Sequence, residues 1–262
     1  MKIGVCRGVD APENVYIAKE AGFDYIECGF HGLSTCEDGV FEAFKKALAD
    51  TGLRCEAANG FIPRDMKVLG EEKDEARLRA YIENGMRRGS EVGLETVVFG
   101  SGKARDLPDG MDFAEGFRQL GEFLRDIACP IAAKYGVTVV TEPLRADEST
   151  IIHTLTEGVM LGVLSGAENA AGLADIYHML GCGDDNDTVR SLKGAIKHGH
   201  ISNPVGKDGI KRIYPAASDE FDYKGFLDAL SFAGCERCSV EASTSDFAKD
   251  AFPAARVLKD CL

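Results

Sequence analysis

The chain has 262 residues, 45% of them hydrophobic, and a formal net charge of −13. That length suits one large α/β domain or two small ones with a substantial core, and the acidic balance argues against nucleic acid as a partner. No stretch approaches the ~18 uninterrupted apolar residues of a membrane span, so no membrane partner is expected.

Read in chain order, short apolar runs alternate with amphipathic ones. The strand "KIGVCR" (2–7) leads into the helix "ENVYIAKEAG", and "YIECGF" (25–30) into "VFEAFKKALADTG", both helices stopping at Gly. "RCEAANGF" (54–61) precedes the long helix "EEKDEARLRAYIENGMRRGSEVG". "TVVFGSG" (96–102) precedes "AEGFRQLGEFLRDIACPIAAKYG", where Pro130 is expected to kink or split the helix. "VTVVTEPL" (137–144), "AGLADIYH" (171–178), "IKHGHISN" (196–203) and "CSVEAS" (238–243) complete the strands, each followed by a helical segment. The runs lack polar alternation, as strands buried on both faces do.

Eight strands in strict alternation with eight helices imply parallel pairing through right-handed crossovers. The chain is the size of a (β/α)8 TIM barrel, expected as a single domain over residues 1–262. An open doubly wound sheet is the alternative, but no Gly-rich phosphate loop follows any strand. Nine scattered cysteines, of which only Cys235 and Cys238 are close, argue against a zinc ribbon and suit a reducing compartment. The opening "MKIGVCRGVD" reads as a strand rather than a leader, so the expected localisation is cytoplasmic.

In such a barrel the chemistry is built at the C-terminal ends of the strands. The fifth strand ends in "TEP" with Glu142, the sixth in "ADIYH" with Asp175 and His178, the seventh carries His198 and His200, and the eighth ends in "VEAS" with Glu241. Carboxylates in a buried mouth are costly unless paired or bound to a cation. Three carboxylates and an imidazole on four consecutive strands suit one divalent metal ion, Mn2+, Mg2+ or Co2+ more naturally than Zn2+. Asp175 could also simply cap the helix that follows it.

Residues from about 139 onward carry a family resemblance. "TEPLRADEST" resembles the E-P-L-N-R-x-E-T segment of ketose 3-epimerases and related sugar isomerases of the xylose-isomerase-like barrel superfamily. "LADIYHM" resembles their D-T-F-H-M segment, "HISN" and "VEAS" their seventh- and eighth-strand segments, and "KRIYPAASDEFDYKGFLDAL" their R-x-x-P-G-x-G-x-x-D loop. The resemblance implies that Glu142, Asp175, His200 and Glu241 bind the metal, Mn2+ foremost, and that Glu142 and Glu241 form the acid/base pair. It further implies that Glu148 and His178 hold the carbonyl end of a sugar and that Arg212 contacts the hydroxyls beside the reacting carbon. Dimers and tetramers are common in such families, so a homodimer or homotetramer is expected. The chain departs from the pattern at Arg145-Ala146, at Asn203 and at Ala216.

The implied activity is a metal-dependent sugar isomerase or epimerase. The ion stabilises an enediolate while one carboxylate takes a proton and another returns it. Expulsion of a β-hydroxyl from the same enediolate would make a dehydratase of the inosose type, and a non-catalytic sugar-binding protein is a further alternative. A three-zinc repair nuclease would need more than the five histidines present. With no anion nest after the last strands, the expected sugar is unphosphorylated. Arg7, Glu27, His31, Asn59 and Ser101 lie at early strand ends. Glu27 reads as a substrate contact or as an ion-paired group inside the mouth, and Asn59 as a substrate contact. His198 reads as a deeper core histidine, and His31 and His153 as surface residues. Phe30, Phe61 and Tyr214 read as sugar-stacking rings or as core.

Overall fold

The computed structural model describes residues 1–205 and 211–262. The strands are β1 (Lys2–Cys6), β2 (Tyr25–Gly29), β3 (Cys55–Asn59), β4 (Thr96–Phe99), β5 (Thr138–Thr141), β6 (Ala170–Asp175), β7 (Ile196–Ile201), β8 (Asn203–Val205), β9 (Lys211–Ile213) and β10 (Arg237–Val240). Eight of them close a barrel in the order β1-β10-β7-β6-β5-β4-β3-β2. Every pair around it is parallel. This is the expected TIM barrel. An antiparallel pair that the sequence reading lacks, β8 with β9, rises from the end of β7. It is tied to the segment after β10 by the Ser243 N–H, which donates to the Arg212 carbonyl at 3.0 Å.

Local chemistry sets the boundaries. The helices Glu13–Ala21 and Asp38–Thr51 end where Gly22 and Gly52 take left-handed φ values of 98° and 69°. The helix expected to start near residue 71 starts at Glu75, because the Asp74 carboxylate accepts from the Arg77 N–H at 3.0 Å and caps it there. Pro130 acts as expected: the helix Phe113–Phe123 passes through a π-helical turn at Leu124–Ala128 before continuing as Cys129–Ala133. Pro130 has no N–H for the carbonyl of Asp126 four residues back, and Arg79 Nη2 donates to that carbonyl instead, at 2.9 Å.

Side chains alternate between the barrel interior and the helix layer. Val98, Val140, Ala171 and Leu173 form a small buried cluster apart from the main core. Val140 and Leu173 stand two residues below Glu142 and Asp175 on the same strand faces. The lumen of β1 and β2 is filled by the Tyr25 ring, which would lie 2.3 Å from a Cβ at Gly4. Phe30 and Phe61 are core rather than sugar-facing: both are fully buried and meet edge to face at 5.0 Å. Among the described residues, no helix is long and apolar enough to cross a membrane.

Candidate functional site

Glu142 follows β5, Asp175 ends β6, His200 lies in β7 and Glu241 follows β10. One donor atom from each lies within 4.8 Å of the others. His200 Nδ1 is 3.0 Å from Glu142 Oε1 and 3.2 Å from Glu241 Oε2. Asp175 does two things. Its Oδ1 accepts from the Tyr177 N–H at 2.8 Å and caps the helix Ile176–Cys182, while its Oδ2 faces the cluster. The sixth strand is therefore shorter than its apolar run suggests, and His178 lies in the first turn of that helix rather than in a strand.

Arg212 reaches over the mouth from β9. Its Nη1 donates to Asp175 Oδ2 at 3.0 Å and also to Glu241 Oε2, and its Nη2 lies 3.2 Å from His178 Nε2. The guanidinium also stacks on Tyr177, 4.3 Å from the ring centre, and Arg145 lies over the same ring at 5.3 Å. Glu148 is half-buried nearby, and burial raises its carboxyl above the ordinary range.

The electrostatics mark the cluster as a place for positive charge. Burial would raise the Glu241 carboxyl, but His200 and Arg212 outweigh it and hold it at about 2. Burial, aided by the charges of Glu142 and Glu241, pushes Asp175 up to about 7 against the pull of Arg212. Burial would strip the proton from His200, yet Glu27, Glu241 and Glu142 together hold its imidazole well above the usual range. His178, by contrast, is pushed down to about 4, chiefly by burial, and is neutral. A set of three carboxylates and one imidazole that favours positive charge fits a divalent cation of the Mn2+ or Mg2+ type. Cys6, Glu27 and His200 also gather within 4.8 Å. There, burial and the carboxylates Glu27 and Glu241 push the Cys6 thiol well up, away from the thiolate form a metal needs.

Asn59 lies beside the cluster, its Nδ2 donating to Glu241 Oε1 at 3.0 Å. Glu27 does not reach the open mouth. It is fully buried, and its two oxygens contact His198 Nε2 at 2.7 Å and His200 Nε2 at 2.9 Å. His198 sits a layer deeper, as read from the sequence, and His31 is exposed. His153 is half-buried rather than on the surface, with Nδ1 at 2.9 Å from the Leu144 carbonyl. Arg7 and Tyr214 pair with each other at the rim, Arg7 Nη2 donating to the Tyr214 hydroxyl at 2.5 Å, and Ser101 Oγ accepts from the Ile62 N–H at 2.9 Å. The sequence reading missed Arg105. Fully buried, it donates to the carbonyls of Phe99 (2.9 Å), Glu142 (2.9 Å) and Ile152 (3.3 Å), fastening the backbone that carries Glu142.

Comparison with solved structures returns the same barrel. The chain matches the apo form of 3-keto-D-glucoside 4-epimerase from E. coli with a TM-score of 0.80 at 23% identity, covering 100% of both chains. It matches D-allulose 3-epimerase from Methylomonas sp. in complex with D-allulose with a TM-score of 0.80 at 17% identity, covering 100% of this chain and 97% of that one. L-ribulose 3-epimerase matches with a TM-score of 0.78 at 20% identity, over 99% and 95% of the two chains. At these identities the likeness establishes the fold. No curated protein sequence matches the chain. A family model described as xylose isomerase-like TIM barrel matches residues 15–261, and the chain belongs to that family.

Proposed function

We propose that the chain is a divalent-cation-dependent sugar epimerase or isomerase acting on a small ketose, with Glu142, Asp175, His200 and Glu241 holding the cation, Mn2+ foremost. The observation that carries the reading is the convergence of these four side chains, with donor atoms within 4.8 Å of one another at the C-terminal mouth of the barrel. The epimerases of ketose and keto-glucoside sugars among the structural neighbours support it.

When bound, the cation supplies Lewis-acid polarisation of a carbonyl, which lowers the cost of removing the proton beside it. Glu142 and Glu241 are the acid/base pair, one taking that proton and the other returning it from the opposite side. Asn59 holds Glu241 by one oxygen at 3.0 Å, leaving the other directed at the cluster. Arg212 donates to substrate oxygens beside the reacting carbon. Neutral His178 and half-buried Glu148 hold the carbonyl end of the sugar.

The test incubates the full chain, loaded with Mn2+, with ketoses, aldoses and inososes in D2O. Deuterium entering the carbon beside the carbonyl, together with a new epimer or isomer, is the expected result. Loss of water without epimer would reassign the chain to dehydration. Absence of exchange across the whole panel would contradict catalysis.

A further inference from the structure

We infer that Glu27 is a positioning residue: through a pair of buried hydrogen bonds it holds His200 with Nδ1 presented to the carboxylate cluster. The inference rests on the reading of His200 as a cation ligand and assigns to Glu27 a task other than substrate contact. Glu27, His198 and His200 are each fully buried. Glu27 Oε1 lies 2.9 Å from His200 Nε2, and Oε2 lies 2.7 Å from His198 Nε2. An ionised carboxylate only accepts hydrogen bonds, so both rings must carry a proton on Nε2. For His200 that leaves Nδ1 as the atom available to a cation, and Nδ1 is the atom within 3.0 Å of Glu142 Oε1 and 3.2 Å of Glu241 Oε2.

His198 completes the arrangement from below. Its Nδ1 is buried with no hydrogen-bond partner among the described residues, which suits a bare lone pair far better than a stranded N–H. The ring's one proton then goes to Glu27 and fixes the second carboxylate oxygen. Glu27 cannot turn without breaking a bond to one ring or the other. A ligating histidine whose second nitrogen donates to a carboxylate is held in ring orientation and tautomer, and removal of the carboxylate weakens metal binding.

Glu27→Gln separates this role from a packing role. Glutamine offers one acceptor oxygen and one donating amide in nearly the same volume, so only one of the two rings keeps its acceptor. Mn2+ binding to the full chain is measured by calorimetry, beside nitrogen NMR of the imidazole rings in the metal-free protein and a thermal melt. The expected result is a loss of Mn2+ affinity of about 10–100-fold in a cooperatively folded variant. NMR should show both rings protonated at Nε2 in the wild type and an altered proton position in the variant.

A purely structural Glu27 would shift the melting temperature and leave the Mn2+ affinity unchanged, and that outcome overturns the inference. Should Glu27→Gln not fold, Glu27→Asp, which keeps the charge but withdraws it by one methylene, is read by the same affinity measurement against the same two outcomes. A wild type that binds no Mn2+ overturns the cation reading and this inference with it. Wild-type binding with an unchanged variant overturns this inference alone.

Discussion

At the scale of single residues, Asp175 shows how two readings of one side chain can both hold. Its place after an apolar run suggested either a helix cap or a group facing the mouth. The structure uses one oxygen for each, Oδ1 on the Tyr177 N–H and Oδ2 toward the cluster. Glu142, His200 and Glu241 were legible for a similar reason: polar groups at the ends of buried strands need a partner, and the end of a barrel strand is where partners gather. Arg105 was not legible, because the segment "GSGKAR" carries no periodicity and a surface arginine is the ordinary expectation. Its burial is costly, and burial lowers its guanidinium to about 10 despite the nearby Glu142. In Arg105→Met the Glu142 carbonyl would lose its donor, and the carbonyls of Phe99 and Ile152 would keep only the N–H groups of Glu142 and Leu144. That variant should lose about 3 kcal/mol of stability, read as a lower denaturant midpoint at an unchanged m-value. A change below about 0.5 kcal/mol, the range of ordinary surface substitutions, would mean the Glu142 carbonyl finds another donor.

At the scale of elements, strand positions were clear and strand ends were not. "AGLADIYH" reads as one strand because Ile and Tyr favour sheets, but the Asp175 cap starts a helix at Ile176. The β8–β9 pair was invisible because each strand has three residues, too short for a pattern. That short pair nevertheless carries Arg212 over the mouth. Close approach between β1 and β2 is likewise written into a single residue. Gly4 leaves the space that Tyr25 fills, and the Tyr25 hydroxyl is held by Ser239 Oγ at 2.7 Å. Gly4→Ala should therefore cost about 1–3 kcal/mol through overpacking, seen as a lower melting temperature. An unchanged melting temperature would show that the Tyr25 ring can give way despite its hydroxyl anchor.

At the scale of the whole molecule, the strict alternation of strand and helix narrowed the fold to a barrel or an open doubly wound sheet, and chain length together with the missing Gly-rich phosphate loop favoured the barrel. The barrel in turn places the ends of β5, β6, β7 and β10 side by side, and so brings together residues separated by up to a hundred positions along the chain. What the fold does not select is the sugar. Rim residues such as Arg145 and Tyr214 make their contacts from loops rather than from strand order. The cation site is the claim on which the proposed chemistry depends, and anomalous diffraction from crystals grown with Mn2+ tests it directly. The account predicts one strong peak bounded by Glu142, Asp175, His200 and Glu241, with the Arg212 guanidinium beside it. A Mn2+ peak elsewhere, or none at that point in crystals of protein shown to bind the ion, would contradict it.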